Sequence, residues 1–261
     1  MMKNAWVLLG ILPSLAMAET SSDTDFHQVS KELTIITTDY GTNIGALKSQ
    51  DALLLIDPMP GETSLKAFHQ SLKTKFKSSQ TYLVNTHGHS DHTGGNVYFI
   101  NQGAHVLTEG LDRFGIEHKV VGSHTSRDSI YFHKPSNSIF VGDIFDTSWH
   151  PTFYFDGLKG LDASVDTILS MGDESSLIIP GHGKPANKSA LREFRNNTHV
   201  WYSKVAYLYS KGKSVEQLLN NKELNQILSR FNINNADPFL PERAHRRFIE
   251  RTIELIDNES S

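Results

Sequence analysis

The eleven residues Asn85-Thr86-His87-Gly88-His89-Ser90-Asp91-His92-Thr93-Gly94-Gly95 constrain this chain more than any others. They place three imidazoles and one carboxylate within six positions, between an apolar β-like run, Thr81 to Val84, and a helix-like run, Asn96 to Ile100. Side chains two apart on an extended segment point the same way, so His87 and His89 share a direction. Neutral imidazole and carboxylate are donors that zinc accepts, and Gly88, Gly94 and Gly95 permit the tight bends that aim several side chains at one point.

A metal loop of this kind needs a rigid frame, and the flanking sequence has the pattern of one. Leu33 to Thr38 and Asn43 to Leu47 read as short strands, and Ala52 to Ile56 is a continuous apolar run ending at Asp57-Pro58, as in a strand buried on both faces. Leu65, Phe68, Leu72 and Phe76 recur at three and four residues, the spacing of an amphipathic helix. Further strands are expected at Ala104 to Leu107 and His118 to Val121, with a hairpin of Ser129 to His133 and Ser138 to Val141. A helix from about Asp162 to Met171 and a buried strand at Leu177 to Ile179 follow. Residues 187 to 261 read as helices alone: one long helix through Leu191, Trp201 and Leu208, a shorter one from Leu218 to Leu228, and a last one through Phe248 and Ile256. Two successive halves, each of strands followed by helix, suggest two sheets flanked by helices.

At 261 residues and 38% hydrophobic content the chain has enough material for one large core. A net charge of -4 without a Lys/Arg block offers no electrostatic footprint for nucleic acid or an anionic membrane, so the expected partner is a small-molecule substrate. Residues 1 to 18 combine Lys3, an apolar run from Ala5 to Leu12 and Ala16-Met17-Ala18 before Glu19, the pattern of a cleavable secretory signal; Pro13 and Ser14 interrupt the run before it could span a bilayer. The expectation is an exported, periplasmic or secreted protein with a flexible mature N-terminus at 19 to 30, a main domain at 31 to 186 and C-terminal helices at 187 to 261 packed on it. With no cysteine, there are no disulfides and no thiolate ligands, so any metal chemistry must rest on His, Asp and Glu.

Three further candidate ligands each stand at a strand end or a turn beside one: His124 in Ser123-His124-Thr125, Asp143 in Gly142-Asp143, and His182 in Pro180-Gly181-His182-Gly183. Loops at strand ends are where a sheet gathers distant residues into one site. Taken singly, each also has an ordinary structural reading: Asp143 as a turn cap, His182 as a partner for a buried carbonyl, His124 as a solvated loop residue.

In this order, His87-x-His89-x-Asp91-His92, His124, Asp143 and His182 resemble the four ordered metal motifs of the metallo-β-lactamase superfamily, a likeness running from about Leu33 to the helix after His182 and including Ile56-Asp57. The resemblance implies an α/β fold, the four-layer αββα sandwich, here with extra C-terminal helices. It implies two zinc ions, with iron as the alternative metal: one held by His87, His89 and His124, the second by Asp91, His92 and His182, and Asp143 bridging both. Such a pair supplies a metal-bound hydroxide as nucleophile near neutral pH. Asp91 would also orient the bridging water and take its proton, and Asp57 would fix a ligand imidazole from behind, unless it only stabilises the turn at Pro58.

The implied function is a binuclear zinc hydrolase acting on an ester, lactone, thioester or amide carbonyl. A zinc β-lactamase is the nearer alternative, although the thiolate branch needs a cysteine and the His-only branch normally lacks the carboxylate of Asp143. An iron-dependent persulfide dioxygenase would keep all these ligands, and a non-catalytic metal-binding protein is the remaining alternative. Only 31 residues separate His92 from His124, fewer than is usual for the superfamily, which makes His124 the ligand least secured by sequence and His118 its only nearby substitute. Among the aromatic residues after Asp143, Trp149, His150 and Tyr154 are candidates to line the substrate pocket.

Overall fold

The computed structural model describes residues 24–259. The expected leader, residues 1 to 18, and the start of the expected mature N-terminus lie outside them. The first half of the chain builds a six-stranded sheet. Its strands are β1 (Thr24–Gln28), β2 (Leu33–Thr38), β3 (Ile44–Ser49) and β4 (Ala52–Ile56), then, after helix α1 (Leu65–Phe76), β5 (Gln80–Val84), and, after the short helices α2 (Ser90–Thr93) and α3 (Asn96–Asn101), β6 (His105–Val106). Spatial order equals chain order, antiparallel from β1 to β4 and parallel from β4 to β6. The second half builds a four-stranded sheet from β7 (Ile116–Val121), β8 (Asp128–His133) and β9 (Ser138–Gly142), then, after α4 (Gly157–Ser170), β10 (Leu177–Pro180). Here β10 runs parallel to β9, with β8 and β7 antiparallel outside it. The chain ends in α5 (Lys188–Ser210), α6 (Val215–Leu219), α7 (Lys222–Leu228) and α8 (Glu242–Glu259).

Period-two alternation along the central strands sorts their side chains into separate cores. Leu54, Ile56 and Val84 face the second sheet, where Tyr131, Phe140 and Ile179 meet them. Leu53, Leu55 and Leu83 face outward under Phe68, Leu72 and Phe76 of α1 and Phe99 of α3. On the far side, Ile139, Val141 and Ile178 pack beneath Leu161, Val165 and Ile168 of α4, with Leu191, Phe194 and Trp201 of α5 beside them. Helix, sheet, sheet and helix are therefore stacked in four layers, as each two-faced apolar strand requires. The C-terminal helices extend the last layer: Phe248 of α8 stacks on Trp201 at 4.3 Å and on His150 at 4.4 Å, so its ring lies between the two.

Three expectations need correcting. Residues 24 to 28 are not a flexible terminus: they pair with β2, and Phe26 anchors them against Phe76 and beneath Lys75. Helix α4 begins at Gly157, five residues before Asp162, and its first turn includes Gly160, a close-approach position where a Cβ would run into the carbonyls of Phe155 and Gly122. The expected single helix at 218 to 228 is two, since Asn221 breaks it and caps α7 by accepting from the N–H groups of Glu223 and Leu224.

Candidate metal centre

Strand β5 delivers the metal loop to the edge between the sheets, and hydrogen bonds fix the loop from every side. The Asn85 amide donates to the carbonyl of His92 (2.9 Å) and receives Asn96 Nδ2 on its oxygen (2.7 Å), while Tyr131 OH donates to the Asn85 carbonyl (2.9 Å). From the other sheet, Ser129 N–H donates to the carbonyl of Thr86. Gly94 and Gly95 have ordinary helical φ values of -60° and -78°, so they do not serve as bends. They are needed for contact instead: a Cβ on Gly95 would collide with the carbonyl of Pro58, and one on Gly94 with Met59.

The other ligand candidates arrive from β-strand ends. Asp143 follows β9 and His182 follows β10, and Gly181 N–H donates to the carbonyl of Gly142 (2.9 Å), tying the two strand ends together. A Cβ on Gly181 would occupy the space of the Asp143 carboxylate and press on the His92 ring, so this close approach requires glycine. His124 sits in the turn between β7 and β8. Asp128 holds that turn by accepting from the backbone N–H groups of Ser123 (3.0 Å), His124 (2.9 Å) and Thr125 (3.0 Å). This carboxylate-centred turn lets a short path still present His124 to the site. His118 is not a substitute: it stacks on Tyr131 within the sheet, ring centroids 4.9 Å apart.

The seven candidate ligands form two groups that share Asp143, and within each group the donor atoms all lie within 4.8 Å of one another. In the first, His89 Nδ1 is 3.0 Å from His87 Nε2 and 2.9 Å from His124 Nε2, with Asp143 Oδ2 3.8 Å and 3.6 Å from those two Nε2 atoms. A tetrahedral ion with metal–nitrogen bonds of about 2.0–2.1 Å has ligand edges of about 3.3 Å, close to these separations. In the second, Asp143 Oδ1 is 3.2 Å from His92 Nε2 and 3.7 Å from His182 Nε2, and Asp91 Oδ2 is 3.2 Å from His182 Nε2. The two oxygens of Asp143 thus face different groups, the geometry of a bridging carboxylate.

Hydrogen bonds behind the rings select the nitrogen that faces inward. His92 Nδ1–H donates to Asp57 Oδ2 (2.9 Å), His124 Nδ1–H to Thr152 Oγ1 (2.7 Å) and His182 Nδ1–H to the carbonyl of Gly41 (3.2 Å). His87 Nδ1 faces Thr86 Oγ1 (3.2 Å), whose own proton goes to Asp57 Oδ2 (2.6 Å). Each ring thereby keeps an Nε2 lone pair for the centre. Buried His92 Nε2 and Asp143 Oδ1 have no hydrogen-bond partner, although they lie 3.2 Å apart. Unpaired buried donor and acceptor atoms are costly, and a cation between these groups would satisfy them. The donor set therefore fits two divalent ions.

Without an ion the same groups hold protons unevenly. Burial pushes His87 down to about 3. Burial also opposes charge on His92, but the charge of Asp57 with its hydrogen bond to Nδ1, and the charge of Asp143, raise it to about 11. Burial opposes charge on His182 too, but its bond to Asp91 together with the charges of Asp143 and Asp146 raises it to about 9, and that bond holds Asp91 at about 2. Asp143 stays well below the usual carboxylate range, since the surrounding imidazoles outweigh its burial.

A cleft of about 320 Å³ opens on this centre, lined by Gly41, Asp91, Asp143, Asp146, Ser148, Trp149, Thr152 and His182. Trp149 is where a pocket residue should be, and Tyr154 stands on the His124 side with rings 6.5 Å apart. His150 is not among the residues lining the cleft: it is buried against Phe248 in the aromatic stack, with its Nδ1 2.9 Å from the carbonyl of Pro151. Sequence reading missed Asp128, Thr152 and Asp146. The run Ser-His-Thr-Ser-Arg-Asp carried a turn signal for the first, but nothing local marks the other two.

A model of the metallo-beta-lactamase superfamily matches residues 37–184. A curated protein of Schizosaccharomyces pombe named as a probable hydroxyacylglutathione hydrolase is 26% identical over 148 residues, covering 49% of this chain and 57% of its own length, so the chain spans little more than half of that relative. Among solved structures, a metallo-beta-lactamase from Pontibacter korlensis matches with a TM-score of 0.57 and 17% identity over 68% of this chain and 99% of its own. One from Hirschia baltica matches with a TM-score of 0.57 and 18% identity over 67% of this chain and 97% of its own. Those structures share the sandwich described above, and the family match covers more than half of the chain. The chain belongs to the metallo-beta-lactamase superfamily.

Proposed function

We propose that the protein is a binuclear metal-dependent hydrolase of carbonyl substrates, namely esters, lactones, thioesters or amides, with zinc as the resident ion. The observation that carries this reading is the split carboxylate of Asp143, with Oδ2 toward the His87, His89 and His124 group and Oδ1 toward the His92, His182 and Asp91 group. A pair of ions held this way supplies Lewis acidity and a water acidic enough to attack near neutral pH. His87, His89 and His124 would hold one ion, and Asp91, His92 and His182 the other.

Asp91 has the second task of taking the proton of the attacking water. It is ionised at neutral pH and half-buried, and its main chain is held by Thr42 Oγ1, which donates to the Asp91 carbonyl (2.8 Å). The hydrolase named for the curated relative supports the reaction class, and export, on the signal-like pattern of residues 1 to 18, is part of the proposal.

The test is a turnover screen of the zinc-loaded protein against β-lactam, lactone, thioester and phosphodiester reporters, beside Asp91→Asn. Hydrolysis of an acyl reporter, lost by orders of magnitude in the variant, is expected. Equal activity of the variant would end the proposed role of Asp91. Thiol-dependent oxygen consumption by an iron-loaded protein would replace hydrolysis with the dioxygenase reading.

A further inference from the structure

Asp146 is a carboxylate in the cleft to which metal binding gives no direct role. It is 6% exposed, and its Oδ1 accepts both the N–H (2.6 Å) and the hydroxyl (2.9 Å) of Ser148. Among the described residues no further hydrogen bond reaches this side chain, which leaves Oδ2 open, and both Asp146 and Trp149 line the cleft. It does not orient His182, whose Nδ1 goes to Gly41 and whose Nε2 faces Asp91. The Oδ2 of Asp146 is not among the buried atoms left without a partner, so it is accessible from the cleft to a donor or a cation, and the Trp149 indole in the same lining adds a surface that attracts cations.

The remaining lining sharpens the point. Of the eight residues around the cleft three are acids, Asp91, Asp143 and Asp146, and none is Lys or Arg. Asp91 and Asp143 are committed to the metal groups, which leaves Asp146 as the carboxylate available to substrate. A carboxylate-bearing substrate would find no basic partner beside it there.

Resting on the hydrolase reading, we propose that Asp146 and Trp149 form a subsite for a cationic group, so that the substrate is a small acyl compound carrying a protonated amine near the scissile carbonyl. The Asp146 carboxylate accepts hydrogen bonds from the ammonium, and the indole of Trp149 covers its flank. Asp146 acts in recognition and takes no part in the proton transfers assigned to Asp91.

The test pairs turnover with binding. Glycyl, N-acetylglycyl and succinyl thioesters of one thiol, presented to the zinc-loaded protein, should rank in that order by kcat/KM. Asp146→Asn, which keeps an oxygen for Ser148, should reduce the preference for the ammonium over the carboxylate by about tenfold or more, the scale of a lost hydrogen bond to a charged group. Calorimetry should show n-butylammonium binding more tightly than n-butanol, with the difference reduced in Trp149→Phe as well. A succinyl preference in the wild type, an unchanged ranking in Asp146→Asn, or equal binding of the two butyl probes would overturn the proposal, and the wild-type comparisons decide it even if the Asn variant does not fold. Ammonium binding through Asp146 without turnover of any ester, lactone, thioester or amide reporter would support the subsite and overturn the hydrolase reading. Turnover without charge preference would do the reverse.

Discussion

Asp57 Oδ2 accepts the Nδ1–H of His92 at 2.9 Å and the Thr86 hydroxyl at 2.6 Å, so one buried carboxylate holds the rings of two ligand candidates, His92 directly and His87 through Thr86. It adopts φ 53°, in the left-handed region that Asp tolerates better than most residues, and its Oδ1 accepts Thr86 N–H at 2.8 Å. Removing it should loosen both metal groups at once. Asp57→Ala is expected to weaken metal affinity by about 10- to 100-fold, the usual effect of losing an outer partner of a ligand imidazole. Chelator competition measures this, and an unchanged affinity would leave Asp57 as a turn residue only.

Gly181 should tolerate no side chain. In Gly181→Ala the new Cβ must displace the Asp143 carboxylate or the strand end that carries it, at a cost of about 1–3 kcal/mol in stability. Metal content should fall along with the melting temperature. A variant that keeps both would show that the strand ends of β9 and β10 can separate without disturbing Asp143.

Metal uptake should depend on pH in a stated direction. In the metal-free protein His92 and His182 are raised to about 11 and about 9, so both carry a proton at pH 7 that an ion must displace. His87, lowered to about 3, is already neutral and contributes none. Affinity should therefore rise as pH increases from 6 toward 9, with about two protons released in filling the second group. Calorimetry in buffers of different ionisation enthalpy reads the proton count, and an affinity that falls with pH would contradict the assignment.

The aromatic stack carries the C-terminal helices. Phe248 lies between His150 and Trp201, and Trp201 Nε1 donates to Thr252 Oγ1 at 2.9 Å. Phe248→Ala is expected to cost about 3–5 kcal/mol, as for other buried Phe truncations. Because the loop bearing His150 also bears Asp146 and Trp149, substrate affinity should drop with it. Chemical denaturation and KM, measured on one preparation, test the coupling.

The metal loop was legible because its donors are close in sequence, and a short span allows few arrangements of four donors. Asp143 and His182 were legible because apolar strands end just before them. The order of motifs then carried the superfamily, and the four-layer fold with it. What stayed hidden depends on contacts distant in the chain. His124 looked insecure from its short path, and only the three backbone bonds to Asp128 show how the turn holds it. His150 and Trp149 are chemically similar neighbours, and only Phe248, far along the chain, shows which of them enters the core. The strand at Thr24–Gln28 escaped because a single apolar residue, Phe26, fastens an otherwise polar segment.

The most direct measurement is the metal-to-protein ratio of the purified, reconstituted chain by native mass spectrometry, compared with Asp143→Ala. Two divalent ions per wild-type chain are expected, with occupancy of both groups weakened in the variant, because the Asp143 carboxylate faces both. A wild-type chain that saturates at one ion, or a variant that still holds two as tightly, would contradict the shared-carboxylate centre.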